Sequence, residues 1–123
     1  IMKKIFVILF TLISFNVLAL DKNTTFSNEI FNKAQAEGKT VVINSWNKTC
    51  STCAKQVIIL DEAKKKFTNI IFLSFEQTKD IEIAKSLGIE YWTTIVVYKN
   101  NKEISRTIGL TKKSKIYSQI NSL

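Results

Sequence analysis

The sequence predicts one α/β domain whose sheet carries an antiparallel edge, and three observations point there. Thr40-Val41-Val42-Ile43-Asn44-Ser45-Trp46 and Ile70-Ile71-Phe72-Leu73-Ser74-Phe75 are continuous apolar or β-branched runs. Such runs mark strands buried on both faces, as in parallel sheets. Segments with helical periodicity alternate with them, and the chain then doubles back through Lys99-Asn100-Asn101-Lys102. Strands alternating with helices, followed by one hairpin, describe this class. At 123 residues the chain has room for one such domain.

The elements follow in order. Thr25-Phe26-Ser27 can start a helix with Ser27 as N-cap and Ile30, Phe31 and Ala34 on its inward face, ending at Gly38. The first strand leads directly into Cys50-Ser51-Thr52-Cys53. A helix is predicted from Ser51 to Phe67, with Val57, Ile58, Leu60 and Phe67 as core positions. After the second strand, Asp80 to Leu87 reads as a short helix closed by Gly88. Thr94 to Tyr98 is the third strand, and asparagine tolerates the left-handed backbone of the turn that follows. Glu103 to Ile108 pairs back, Gly109 ends that strand, and Thr111 to Leu123 forms the last helix with Ile116 and Ile120 inward.

The first nineteen positions read differently. Met2-Lys3-Lys4 is a short basic start, and Ile5 to Val17 is apolar except for Thr11, Ser14 and Asn16. Val17-Leu18-Ala19 precedes the polar Asp21-Lys22-Asn23. This is the pattern of a secretory signal peptide over residues 1–19, and it implies a periplasmic protein. An uncleaved N-terminal membrane anchor is the alternative, although the apolar run falls short of the roughly 20 residues a spanning helix needs. Cleavage after Ala19 would leave Leu20 to Leu123, enough for a small core covering both sheet faces.

The formal charge is +8, and Lys3 and Lys4 account for two of those charges. The remaining surplus does not form a nucleic-acid surface. Lys64-Lys65-Lys66 lies late in one helix, Lys112-Lys113 and Lys115 begin another, and no aromatic run is interleaved. These lysines read as solvated faces, with no nucleic-acid partner.

The chain holds two cysteines, no histidine and no proline. Cys50 falls at a helix N-terminus, where unpaired N–H groups and the helix dipole favour an anion. A thiolate forms more readily there, and the thiolate is the nucleophile of disulfide exchange. Cys53, one turn on, can resolve a mixed disulfide by attacking Cys50. A purely structural disulfide is a poor alternative, since so short a loop restrains little chain entropy. A zinc site needs about four ligands, and two thiols without histidine do not supply them.

At these residues the chain resembles the thioredoxin superfamily. The run Gly38-Lys39-Thr40-Val41-Val42-Ile43-Asn44-Ser45-Trp46-Asn47-Lys48-Thr49-Cys50-Ser51-Thr52-Cys53 is similar to that family's strand, Trp-x-x-x-Cys-x-x-Cys motif and helix. Trp46 matches the tryptophan beside the active site, and Ile89 to Gly109 resembles the closing hairpin. The resemblance covers nearly all of the chain after residue 19. It implies a mixed central sheet flanked by helices and dithiol–disulfide exchange with no bound cofactor.

Four departures surround the motif. Where the family has a cis-proline facing the cysteines, this chain has Thr93, after Trp92. A cis bond before a non-proline residue costs about 3–4 kcal/mol, so the Trp92–Thr93 bond is expected to be trans. In the family this loop pairs with the substrate backbone and keeps metal off the cysteines. Thr93 could instead direct a hydroxyl at the Cys50 thiolate. Asn44 replaces the family's buried acid beneath the second cysteine, and an amide cannot take a proton from Cys53. Thr49 stands where an aromatic residue is usual, and Ser51-Thr52 replaces Gly-Pro between the cysteines, where the pair tunes the redox potential.

The expected function is therefore an exported thiol–disulfide oxidoreductase that exchanges disulfides with protein partners. Cys50 is the expected nucleophile and Cys53 the resolving thiol, with Trp46, Asn44, Thr49, Ser51, Thr52 and Thr93 in support. With no room for a helical insertion, family analogy favours a reductase or electron relay over an oxidase, acting as a monomer. A reductase in an oxidising compartment needs a membrane electron donor. Two alternatives stand beside this: a metal-binding module sharing an iron–sulfur or soft-metal centre through Cys50 and Cys53, and a structural adaptor that has lost turnover.

Overall fold

A computed structural model describes residues 22–121. The proposed signal peptide, residues 1–19, lies outside the described residues. Eight elements follow in order: α1 (Asn28–Ala36), β1 (Val41–Trp46), α2 (Ser51–Lys66), β2 (Ile71–Glu76), α3 (Ile81–Leu87), β3 (Thr94–Lys99), β4 (Lys102–Ile108) and α4 (Lys113–Ile120). Among the described residues no helix is long and apolar enough to cross a membrane.

The strands form one mixed sheet in the order β2-β1-β3-β4. β1 and β2 run parallel, and β3 lies antiparallel to both β1 and β4. All six residues of β1 are buried, as its unbroken apolar run predicts. Alternate side chains serve two separate cores because successive residues of a strand point to opposite faces. Val41, Ile43, Leu73, Phe75 and Val96 pack with Phe31 and Ala34 of α1 and Ala84 and Leu87 of α3. Val42, Ile95 and Val97 pack with Leu60 and Ala63 of α2 and Ile116 and Ile120 of α4. Helices thus cover both faces of the sheet, as expected.

Local signals behave as their chemistry dictates. Ser27 caps α1, its Oγ accepting from the Ile30 N–H at 3.1 Å. Gly88 closes α3 with a left-handed backbone (φ 64°), which a residue without a Cβ adopts at little cost. Asn100 and Asn101 both have positive φ, 50° and 67°, and form the two-residue turn between β3 and β4. The final helix is shorter than predicted, Lys113–Ile120, with Ile116 and Ile120 buried as expected.

Two predicted core positions are corrected. Ile30 is 47% exposed and Ile58 is 62% exposed. Each side chain sits about 100° round its helix from a buried neighbour, Phe31 and Val57 respectively. On α2 the inward face is Cys53, Gln56, Val57, Leu60 and Ala63, so a glutamine goes inside and an isoleucine outside. Cys53 lies on this inward face and is fully buried. Phe67, the helix's C-cap, is partly buried against the α2–α4 core.

Candidate active site

β1 ends at Trp46 and α2 begins at Ser51, and the short loop between them turns the chain so that Cys50 is the N-cap. Asn47 builds this loop. Its Oδ1 accepts from the Thr49 N–H and from Thr49 Oγ1, each at 3.0 Å, and its Nδ2 donates to Thr78 Oγ1 at 3.2 Å. Thr49 is thus a loop-fixing residue at the surface. The motif reading does not single out Asn47, although asparagine just ahead of a helix is a frequent turn former.

Cys50 and Cys53 are joined in a disulfide, with their Cα atoms 5.2 Å apart. The Cys53 backbone N–H donates to Cys50 Sγ at 3.0 Å, so the sulfur occupies the place of a capping oxygen. That contact gains strength once the sulfur is a thiolate, because hydrogen bonds to an ionised acceptor are the stronger ones. No acidic residue lies in the first turn of α2 to oppose a negative charge there. The two sulfurs differ in access. Cys50 is half-buried and Cys53 is fully buried, at 0% exposure. Ser51 is exposed and Thr52 half-buried beside them.

The Trp92–Thr93 peptide bond is cis, which corrects the expectation of trans. That expectation leaves out the hydrogen bonds that hold the chain on both sides. Ser45 Oγ donates to Tyr91 O and accepts from the Thr94 N–H, each at 3.1 Å. Thr94 Oγ1 also donates to Tyr91 O, and the Gly109 N–H donates to Thr93 O at 2.9 Å. Ser45 is a second residue that the motif reading passes over; its one signal is a hydroxyl in a fully buried strand. Thr93 is 2% exposed, and its Oγ1 has no hydrogen-bond partner. In the disulfide state it bonds neither sulfur; the expected bond is to the Cys50 thiolate, which exists only in the reduced protein.

Asn44 belongs to a neighbouring network of amides. Its Nδ2 donates to Gln56 Oε1 at 2.6 Å and lies 3.2 Å from Thr94 O, while Gln56 Nε2 donates to Leu110 O at 2.9 Å. Both amides are buried. A backbone carbonyl can only accept, so Leu110 O orients Gln56, and Gln56 then orients Asn44. Asn44 Oδ1 is left buried without a partner. Trp46 is buried at the end of β1, and its indole N–H is also unpartnered.

Among the described residues no group of three or more cysteine, aspartate or glutamate side chains is placed to hold a metal ion. The metal-binding alternative has no support in this site.

Comparison with known proteins agrees with the geometry. The family model described as Thioredoxin matches residues 17–122. An H-type thioredoxin of Fagopyrum esculentum is 28% identical over 85 residues, which cover 69% of this chain and 73% of that one. A thioredoxin of Mycoplasma genitalium is 29% identical over 84 residues, 68% of this chain and 82% of that one. Among solved structures, Trxlp from Edwardsiella tarda superposes with a TM-score of 0.70 at 22% identity, covering 74% of this chain and 90% of that one. The thioredoxin NaTrxh from Nicotiana alata superposes at 0.68 and 22% identity, covering 75% and 79%. With a redox disulfide at the start of α2, a helix-flanked mixed sheet and a family match across the whole described region, this chain belongs to the thioredoxin family and is a thiol–disulfide oxidoreductase.

Proposed function

We propose that the chain is an exported reductase or electron relay, in which Cys50 is the nucleophile and Cys53 the resolving thiol. The unequal burial of the two cysteines carries the assignment: Cys50 is half-buried, while Cys53 is fully buried on the inward face of α2. In the reduced protein the Cys50 thiolate attacks a partner disulfide. One sulfur–sulfur bond breaks, a Cys50–partner bond forms, and the electron pair leaves on the released partner sulfur, which takes a proton. Cys53, deprotonated, then attacks Cys50, and the second partner thiol departs. Two electrons have passed from the dithiol to the partner, and the Cys50–Cys53 disulfide is restored.

The basic start and short apolar run of residues 2–17 support export. An exported reductase draws its electrons from a donor in the membrane. Its substrates are protein disulfides, and no resident cofactor takes part.

Two measurements test this reading. Cys53→Ser should accumulate a mixed disulfide on Cys50 that mass spectrometry detects, and Cys50→Ser should abolish insulin reduction by the full protein. A trapped species on residue 53 instead would reverse the roles. N-terminal sequencing of protein from the periplasmic fraction should begin at Leu20; recovery only from the cytosol would remove the export half of the proposal.

A further inference from the structure

Two buried polar groups at one end of the sheet lack partners, and both line the same cleft. Trp46 is 1% exposed, and its indole N–H makes no hydrogen bond. Glu76, the last residue of β2, is 8% exposed. Its carboxylate makes no hydrogen bond or ion pair among the described residues. The two residues pair in register across β1 and β2, so their side chains leave the same face of the sheet. The cleft they line measures about 350 Å³, within the range of small-molecule sites. Neither cysteine and no residue of α2 lines it, so it is separate from the disulfide.

The other charged groups facing the cleft are of two kinds. Asp80 and Lys22 are already committed. Asp80 accepts from the Glu76 N–H at 3.0 Å and from Thr24 Oγ1, and the Lys22 ammonium lies 3.8 Å from Asp61. Lys48, from the β1–α2 loop, and Lys79, from the β2–α3 turn, are exposed and make no ion pair among the described residues. One N–H donor, two ammonium groups and one carboxylate therefore stand unanswered around a single space. A carboxylate buried without a counter-charge is costly, and a buried indole N–H normally finds an acceptor. A purely anionic ligand would answer the indole and the lysines but be repelled by Glu76. A purely cationic ligand would answer Glu76 but be repelled by the lysines. A ligand that carries both charges a few bonds apart answers all four groups.

We propose that this cleft binds the zwitterionic head of an α-amino acid. The ammonium sits against Glu76, and the carboxylate lies between the Trp46 indole N–H and the Lys48 and Lys79 ammonium groups. A free amino acid and a small peptide with an unblocked amino-acid end share this head, and the volume admits either. Binding makes and breaks no covalent bond, and it takes place apart from the disulfide. It adds a second ligand to a protein whose exchange chemistry is carried by Cys50 and Cys53.

The full protein in its disulfide form is titrated with alanine, propionate and ethylamine, and the Trp46 indole N–H resonance is followed. Propionate is alanine without the ammonium, and ethylamine is alanine without the carboxylate. Alanine should move the resonance saturably, and the other two should bind at least about tenfold more weakly, as loss of a charged hydrogen-bonding group implies. S-Methylglutathione, which carries the same head on a peptide and cannot exchange disulfides, separates the two sources. Tighter binding than alanine assigns the site to peptides, and equal or weaker binding assigns it to free amino acids. Glu76→Gln should erase the preference for alanine over propionate, and Lys79→Ala should weaken both. The ratio of the wild-type affinities needs no variant to fold. An indole resonance that no probe moves overturns the proposal, as does propionate or ethylamine binding as tightly as alanine.

Discussion

Gln56 Oε1 accepts a 2.6 Å hydrogen bond from Asn44 Nδ2, so a buried amide pair stands between β1 and α2 where thioredoxins commonly hold an acid. Replacing Gln56 with leucine keeps the volume and removes the donor from Leu110 O, while Asn44 Nδ2 loses its shortest contact but keeps Thr94 O and Ser45 O. Leaving buried polar groups unpaired costs about 1–3 kcal/mol each. Gln56→Leu should therefore lower the urea midpoint by a corresponding amount with an unchanged m-value. An unaltered midpoint would show the pair to be energetically idle.

Thr93→Val makes the opposite prediction. The Thr93 hydroxyl is buried without a partner, so the folded state bears its desolvation. Valine has nearly the same shape and no hydroxyl. The variant should be more stable by about 1 kcal/mol, read as a raised urea midpoint. Loss of stability would mean that the hydroxyl is satisfied in solution.

Arg106 ties β4 to the end of α3, donating to Leu87 O and Gly88 O at 2.8 Å each and pairing with Glu103. The hydrogen bond from Arg106 holds the Glu103 carboxyl below the usual carboxylate range. A depressed carboxyl pKa stabilises the fold above the unfolded-state value, and that part is lost as pH falls through the folded value. Chemical denaturation in acid should thus show a loss that Glu103→Gln lacks. At neutral pH Arg106→Leu should destabilise the protein by about 1 kcal/mol, chiefly through the part-buried Leu87 carbonyl, since the exposed Gly88 carbonyl is rehydrated.

The Cys53 N–H contact to Cys50 Sγ predicts the reactivity of the reduced protein. Iodoacetamide should modify Cys50 first, at a pH below that needed for an ordinary cysteine thiol, with Cys53 protected by burial. Peptide mapping after brief alkylation checks the order. Equal labelling of both thiols would contradict the asymmetry on which their roles rest.

Much of this fold is legible in local stretches of the chain. The apolar run Thr40–Trp46, the Asn100-Asn101 turn and the Cys-x-x-Cys at a strand-to-helix junction are signals carried by residues close in sequence. They name the fold class, the hairpin and the redox pair, because periodicity, turn chemistry and helix capping act over a few residues. Ile30 and Ile58 mislead for a related reason: a helix's inward face is chosen by what it packs on, and apolar character alone does not say which side that is.

The neighbours of the cysteines belong to the tertiary structure. The cis geometry at Trp92–Thr93 is set among bonds from Ser45, far back in the chain on β1, and from Gly109. The Asn44–Gln56–Leu110 chain of amides joins β1, α2 and the segment after β4, and Glu76 meets Trp46 only through strand register. The sequence by itself determined that two thiols would meet at the start of a helix. Which buried polar groups surround them was decided by the fold, since such groups find partners by proximity in space and not along the chain.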